Sequence, residues 1–125
     1  LNLTEIFKPR PKTTRIPVII ETIPITGGGR YLMEVPNDYA FCEGHFNNFK
    51  VVPGVCQLDW IEMIIREISQ KNIRIYDLPK IKFHRFIEPG ESITMDISFN
   101  ENKNNWSFNI YNRTEKFTSG RVMVN

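Results

Sequence analysis

Two side chains suited to proton transfer, His45 and Asp59, lie fourteen positions apart in the sequence (59 − 45). His45 follows Gly44, which permits unusual backbone geometry, and an imidazole is the side chain best placed to move protons near neutral pH. Asp59 lies in an apolar, helix-like stretch, where burial would raise its pKa and keep it partly protonated, as a general acid requires. The pair therefore suggests acid–base catalysis.

Both residues also have purely structural interpretations. A lone histidine in a turn, such as His45, is most often bonded to backbone groups. Asp59 could equally lie on a solvated stripe with Glu62 and Arg66, which follow it at the helical spacings of three and seven. For Asp59, the pattern alone leaves the two interpretations open.

Metal binding and thiol chemistry are weaker alternatives. Cys42, Glu43, His45 and Asp59 are close in sequence, but their spacing matches no recognised set of metal ligands, so we predict no metal site. A cysteine nucleophile is disfavoured because Cys56 falls inside the apolar helix, where thiols are usually inert. The two cysteines lack Cys-x-x-Cys spacing, and we expect both to be reduced and buried, as in a cytoplasmic protein.

The segment Val55–Ser69 predicts a mostly buried helix of about four turns, because apolar residues recur at spacings of one, three and four. Its charged residues form only a narrow polar side. Pro53 and Gly54 stand where the helix should begin. Free backbone N–H groups at a helix start can bind a developing oxyanion, which places a second chemical function close to His45 in sequence.

Six further segments have the β-branched residues or the period-two alternation of strands. The glycine cluster 26–30 is predicted to be a hairpin turn and not a phosphate loop, because no Gly-Lys-Ser/Thr follows it. Two strands precede the helix and four follow it, which predicts an α+β domain whose sheet wraps the helix. The strand segments are 18–25, 30–36, 80–87, 91–100, 106–112 and 116–125.

Length and composition fit one globular domain over residues 1–125, with an irregular, proline-containing arm over 1–15. The net charge of +2 is small and the Lys and Arg residues are dispersed, which argues against nucleic acid as a partner. No run of about 18 apolar residues is present, so we predict no membrane span, and we expect no signal peptide.

Two motifs carry a family resemblance. The stretch GHFNNFKVVPGVCQLDW (44–60) resembles the Gly-His-Phe-Pro-x-x-Pro-Val-x-Pro-Gly-Val motif of the β-hydroxyacyl-acyl carrier protein dehydratases, and KIKFHRFIEPGE (80–91) resembles their Lys-Phe-x-x-x-Val-x-Pro-Gly-Asp segment. The ending VCQLDW is most similar to the aryl-polyene-type, ApeI-like subgroup. The likeness covers roughly residues 15–124 and implies the hot-dog fold, an antiparallel sheet of about six strands around one long central helix.

The resemblance implies a role for each matching residue. His45 corresponds to the catalytic histidine and Asp59 to its acidic partner. Gly54 and Val55 correspond to the positions whose backbone N–H groups polarise the thioester carbonyl. The implied reaction is the reversible loss of water from a 3-hydroxyacyl thioester, which forms a 2-enoyl thioester.

The resemblance also implies partners. The substrate would arrive on the phosphopantetheine of an acyl carrier protein, and the enzyme would need no cofactor of its own. The acyl chain would lie in an apolar tunnel along the helix, with Leu58 and Met63 as candidate lining residues. Candidate contacts to the carrier are Lys50, Lys80, Lys82, His84 and Arg85.

A homodimer is expected on physical grounds. A single six-stranded sheet leaves two strand edges unpaired, and joining two sheets edge to edge covers one edge on each subunit. The resemblance adds that His45 of one chain would meet Asp59 of the other.

Departures from the family pattern leave two other functions open. Asn47 and Phe49 are taken to stand where the motif usually has prolines, and Met63 stands where many dehydratases have a glutamine. One alternative is a hot-dog acyl thioesterase, in which a carboxylate directs water at the thioester carbonyl. The other is a non-catalytic hot-dog subunit that binds an acyl carrier. The intact pair of His45 and Asp59 favours the dehydratase, whereas the departures favour the non-catalytic subunit.

Overall fold

The computed structural model describes residues 17–37, 51–52 and 54–125. Within these ranges, neighbouring strands pair antiparallel in the order β1-β2-β4-β5-β6-β3. This confirms the predicted α+β hot-dog arrangement, whereas the arm over 1–15 lies outside the described residues. The elements are β1 (Val18–Ile25), β2 (Gly28–Glu34), α1 (Gly54–Ser69), β3 (Ile75–Phe83), β4 (Ser92–Asn100), β5 (Asn105–Tyr111) and β6 (Lys116–Val124).

The turn between β1 and β2 is shorter than predicted. Gly27 has a positive φ of 77°, whereas Gly28 and Gly29 already belong to β2. A Cβ at position 28 would overlap the backbone carbonyl of Ile97 on β4, so glycine allows the two strands to approach this closely. The glycine cluster thus provides a hairpin turn and a close strand contact.

β3 begins five residues before the predicted segment and ends four residues before the predicted end, at Ile75 and Phe83. The predicted bounds were wrong because Pro79 lies inside β3, and prolines are rare within strands. In the described structure β3 is an edge strand that pairs with β6 alone, and its register shifts between Asp77 and Lys80. A proline is tolerated there because an edge strand can leave one N–H position unpaired.

α1 is buried on almost every side and shares one hydrophobic core with the sheet. Trp60, Ile61 and Ile65 on α1 are fully buried. On β4, the period-two alternation directs Met95 and Ile97 into the same core. Each such side chain contributes roughly 1.5–3 kcal/mol of transfer free energy, so this core fixes the position of α1 against the sheet.

Glu62 is buried, although the sequence predicted a polar stripe. Its Oε2 accepts a hydrogen bond from the Ile75 backbone N–H at 2.8 Å, and its Oε1 accepts one from Arg66 Nη2 at 2.9 Å. Arg66 Nε also donates to the Ile73 carbonyl at 2.8 Å. A buried carboxylate is tolerated when it is paired in this way. The interpretation that placed Asp59 on a solvated stripe with Glu62 therefore fails for Glu62.

Replacing Glu62 by alanine is expected to lower the free energy of unfolding by about 1–3 kcal/mol, because it leaves the buried Ile75 N–H without its acceptor and removes the Arg66 contact. Urea unfolding measures this change. The matched control is Glu67→Ala, an exposed glutamate on the same helix, which should change the value by no more than about 0.5 kcal/mol. Equal changes in the two variants would mean that the Glu62 contacts do not stabilise the fold.

Candidate active site

Asp59 lies in the second turn of α1, between the fully buried Leu58 and Trp60. Asp59 itself is only partly buried. Val55 and Met63, one turn before and one turn after it, are also partly buried and pack against the core. These three residues form the Asp59 stripe along one side of α1. A carboxylate between apolar residues at such a boundary can meet a ligand that arrives from outside the chain.

The N-terminal turn of α1 can stabilise negative charge. Gly54 and Val55 are its first residues, and the first turn contains no acidic side chain. No carboxylate of the turn itself therefore competes for its backbone N–H groups, which have no partner within the helix. The helix dipole adds partial positive charge at the same end. A thioester oxygen is the kind of acceptor that such a turn can polarise.

The aromatic ring of Phe83 packs against Gly54. A Cβ at position 54 would lie 2.8 Å from Cζ and 3.1 Å from Cε1 of Phe83, closer than side-chain carbons normally approach. The ring therefore occupies the space that any larger residue at position 54 would need. Sequence reasoning missed this contact. The Pro-Gly pair at the helix start was a signal for a turn, and not for a neighbour on β3.

Two hydrogen bonds hold the start of α1 against the sheet and the loop after β3. The Val52 N–H donates to the Ile87 carbonyl at 2.7 Å. In a buried position, the Thr118 hydroxyl donates to Gln57 Oε1 at 2.6 Å. Thr118 is also the ladder partner of Phe83. The end of β3, the facing part of β6 and the first turn of α1 therefore form one framework.

Several predicted residues lie outside the described part of the chain. The structure places Gly54, Val55 and Asp59 together on the first two turns of α1. It does not describe His45, so the pairing of His45 with Asp59 stays a prediction. Among the described residues, no three His, Cys, Asp or Glu side chains cluster in a way that could hold a metal ion. The other residues named from the sequence that lie outside the description are Cys42, Glu43, Gly44, Asn47, Phe49, Lys50 and Pro53.

The acyl tunnel prediction names two residues with different surroundings. Leu58 is fully buried in the core, whereas Met63 lies on the partly buried Asp59 stripe. A cavity of about 470 Å³ lies elsewhere, between β1, β2, β4 and the β5–β6 turn, and its lining includes Ile20, Leu32 and Thr94. None of its lining residues is on α1. Of the two residues, Met63 shares the Asp59 stripe, and the prediction of an acyl tunnel stays untested.

Cys56 is disulfide-bonded, so the prediction of a reduced thiol at this position is wrong. The prediction that it is buried is confirmed. Spacing along the sequence gave no indication of a disulfide, because pairing depends on the folded distance between thiols. Cys42, the other cysteine of the chain, lies outside the described residues. A disulfide-bonded Cys56 also cannot act as a thiolate nucleophile.

A polar cluster on the sheet lies away from α1 and stabilises strand pairing. Arg30 on β2 donates two hydrogen bonds to the Asp96 carboxylate on β4, of 2.8 and 3.0 Å. The Tyr111 hydroxyl donates to the same carboxylate at 3.1 Å. The Asp96 hydrogen bond and charge raise the pKa of Arg30. Partial burial, together with the Asp96 contact, raises the pKa of Tyr111. We interpret the cluster as a cross-strand ladder and not as a catalytic site.

Solved structures share this arrangement of one helix and a six-stranded antiparallel sheet. The chain is similar to the dehydratase heterocomplex ApeI:P from Xenorhabdus doucetiae, with a TM-score of 0.76 and 19% identity over 88% of this chain and 98% of that chain. It is also similar to an uncharacterized protein from Erwinia carotovora subsp. atroseptica, with a TM-score of 0.69 and 21% identity over 89% and 97% of the two chains. At these identities the likeness establishes the class of fold, the hot-dog fold.

The family follows from the sequence. Residues 29–121 match the model of the ApeI-like family, described as ApeI dehydratase, and the chain belongs to this family. The chain is also 25% identical over 114 residues to the 3-hydroxyacyl-[acyl-carrier-protein] dehydratase FabZ of Oenococcus oeni, covering 84% of this chain and 82% of that protein. The predicted resemblance to hot-dog dehydratases is thereby confirmed. Gly54, Val55 and Asp59 all lie inside the matched region.

Proposed function

We propose that the protein is a 3-hydroxyacyl-acyl carrier protein dehydratase that uses His45 and Asp59 for acid–base catalysis. The observation that carries the proposal is the position of Asp59 in a chain of the ApeI-like family. It is a partly buried acid on the central helix, one turn after a helix start that can polarise a carbonyl. The relative FabZ of Oenococcus oeni, named as a dehydratase of this type, supports the same reaction.

In the proposed mechanism, His45 removes the proton from C2 of the 3-hydroxyacyl thioester. The electrons of the broken C–H bond move toward the thioester carbonyl, and the N–H groups of Gly54 and Val55 stabilise the enolate oxygen. Asp59 protonates the departing C3 hydroxyl, which leaves as water, and a double bond forms between C2 and C3. A positioned acid or base contributes roughly 10²–10⁴-fold, and an oxyanion donor about 3–4 kcal/mol. Because protein groups carry every step, we propose that no cofactor is needed.

One observation favours a second candidate, a subunit that is active only with a partner protein. The similar structure from Xenorhabdus doucetiae is named as a heterocomplex. In this chain, Met63 lies one turn after Asp59 on the same stripe, where many dehydratases have a glutamine. A partner subunit with a glutamine at this position would complete the family pattern.

A product assay separates the candidate functions. The purified protein is incubated with a 3-hydroxyacyl thioester and, separately, with the 2-enoyl thioester, and mass spectrometry follows water loss, water addition and thiol release. We expect interconversion of the two thioesters with the thioester bond intact. Release of free thiol would instead establish a thioesterase. No reaction with either compound would contradict catalysis by this chain alone and favour the partner-dependent subunit.

The proposed carrier protein is expected to dock near the end of β3. Arg85 is already engaged there, because its Nη1 lies 3.2 Å from Glu91 Oε1 and its guanidinium lies 5.4 Å from the centroid of the Phe117 ring. Lys80 and Lys82 have no such contacts among the described residues. Lys82 also directly precedes Phe83, which touches Gly54. The candidate contacts that the structure describes, all of them exposed, are Lys80, Lys82, His84 and Arg85.

Reversing the charge at Lys82 is expected to raise the KM for a carrier-bound substrate by about two- to tenfold, because it repels an acidic carrier. The KM for a short pantetheine thioester should not change. The control is Lys103→Glu, on an exposed turn between β4 and β5. Equal effects of Lys82→Glu on both substrates, or equal effects of the two variants on the carrier-bound substrate, would refute docking at Lys82.

We further propose that the protein works in the cytoplasm beside its carrier. The described part of the chain contains no helix that is long and apolar enough to cross a membrane. The disulfide at Cys56 would be unusual in a reducing compartment. Fractionation of the cells, followed by immunoblotting of each fraction, tests this placement. We expect the protein in the cytoplasmic fraction, and its recovery from a secreted or membrane fraction would contradict a cytoplasmic location.

A further inference from the structure

Phe83 is an exposed aromatic residue whose ring nevertheless has a specific contact. It is the last residue of β3 and is 40% exposed. The far end of its ring, Cζ, lies 2.8 Å from the position that a Cβ of residue 54 would occupy, so the missing side chain of Gly54 leaves room for the ring. Another aromatic residue with similar exposure, Phe99 at 37%, packs on Trp106 with ring centroids 5.3 Å apart and is not on this framework.

We propose that Phe83 is a positioning residue for the thioester group. Its ring would cover one side of the helix start and hold the reacting carbonyl against the N–H groups of Gly54 and Val55. This inference rests on the dehydratase function proposed above. It assigns the glycine at position 54 a second role, because any side chain there would displace the ring.

The start of α1 is partly exposed, so water can reach the N–H groups that would bind the thioester oxygen. Hydrogen bonds to a developing negative charge are worth more where water is excluded, since water screens the charge and competes for the same N–H groups. A ring against Gly54 removes water from one side of these donors. It also narrows the approach of the thioester, so that the carbonyl meets the donors in one orientation.

The contact can be tested by a double-mutant cycle on kcat and KM for a 3-hydroxyacyl pantetheine thioester. Phe83→Ala is expected to lower kcat/KM by about ten- to a hundredfold, mostly through kcat, because orientation matters most in the transition state. Gly54→Ala should cause a similar loss, because its Cβ displaces the ring. In the Phe83→Ala background, Gly54→Ala should have little further effect. Phe83→Leu should retain most of the wild-type kcat/KM.

Phe99→Ala is the matched control, and it should keep kcat/KM within about twofold of wild type. Thermal unfolding of every variant separates loss of function from loss of fold. A Gly54→Ala loss of equal size in both backgrounds would overturn the inference, as would a Phe83→Ala loss no larger than that of Phe99→Ala. A wild type that converts no thioester is a different result, because it overturns the proposed function and the role of Phe83 falls with it.

Discussion

Asp59→Asn is expected to lose dehydration activity by about 10²–10⁴-fold while the protein stays folded. The amide has nearly the shape of the carboxylic acid but cannot donate a proton to the departing hydroxyl. Asp59 is partly buried at the edge of the core and asparagine has the same size, so we expect α1 to keep its packing. Steady-state kinetics with a 3-hydroxyacyl thioester measures the loss, and circular dichroism checks the fold.

Glu67→Gln is the control, because it makes the same chemical change at an exposed position of the same helix. His45→Ala should lose activity to a similar extent. The double variant should be little worse than either single variant, because the two residues act as one unit. Near-normal turnover by Asp59→Asn would show that Asp59 is a structural carboxylate and that the site assignment is wrong.

Mixing the two inactive variants is expected to restore activity, if the site is shared between two chains. The Asp59 stripe is incompletely covered within one chain, which is the arrangement that a shared site requires. His45→Ala and Asp59→Asn proteins are unfolded together and refolded. Random pairing makes half of the dimers mixed, and each mixed dimer has one intact site of two, so recovery should approach about one quarter of wild-type activity.

Each variant refolded alone provides the baseline, and mass spectrometry of the intact complexes shows that mixed dimers have formed. Activity at the baseline in the presence of mixed dimers would mean that each chain builds its own site. The same result would follow if His45 and Asp59 were not the catalytic pair. The experiment therefore tests the homodimer and the residue pair together.

The sequence predicted α1 to within one residue at its start, because its apolar pattern is long and a Pro-Gly pair marks its beginning. It misplaced β3, because a proline inside a strand looks like a break until the strand is known to lie at an edge. The sequence placed Glu62 on the polar side of α1, whereas the structure buries it. Its buried partner, the Ile75 N–H, lies thirteen residues away and is invisible to local periodicity.

In the candidate site, too, the sequence predicted some features and missed others. The type and spacing of Asp59, Gly54 and Val55 were sufficient to place them together at the start of one helix. The contact between Phe83 and Gly54 depends on the approach of β3 to α1, which no local pattern encodes.

One departure from the family motif was assigned to the wrong residue. Aligned position by position, the second proline of the motif corresponds to Lys50 and not to Phe49.

The central claim, that His45 is the base and Asp59 the acid, is tested most directly by hydrogen exchange at C2 in D₂O. A 3-hydroxyacyl thioester is incubated with each variant, and mass spectrometry of the recovered thioester measures deuterium at C2. We expect Asp59→Asn to exchange the C2 hydrogen without losing water, because His45 still forms the enolate beside the helix start. We expect His45→Ala to show no exchange above the rate without enzyme. Exchange by His45→Ala together with none by Asp59→Asn would contradict the account.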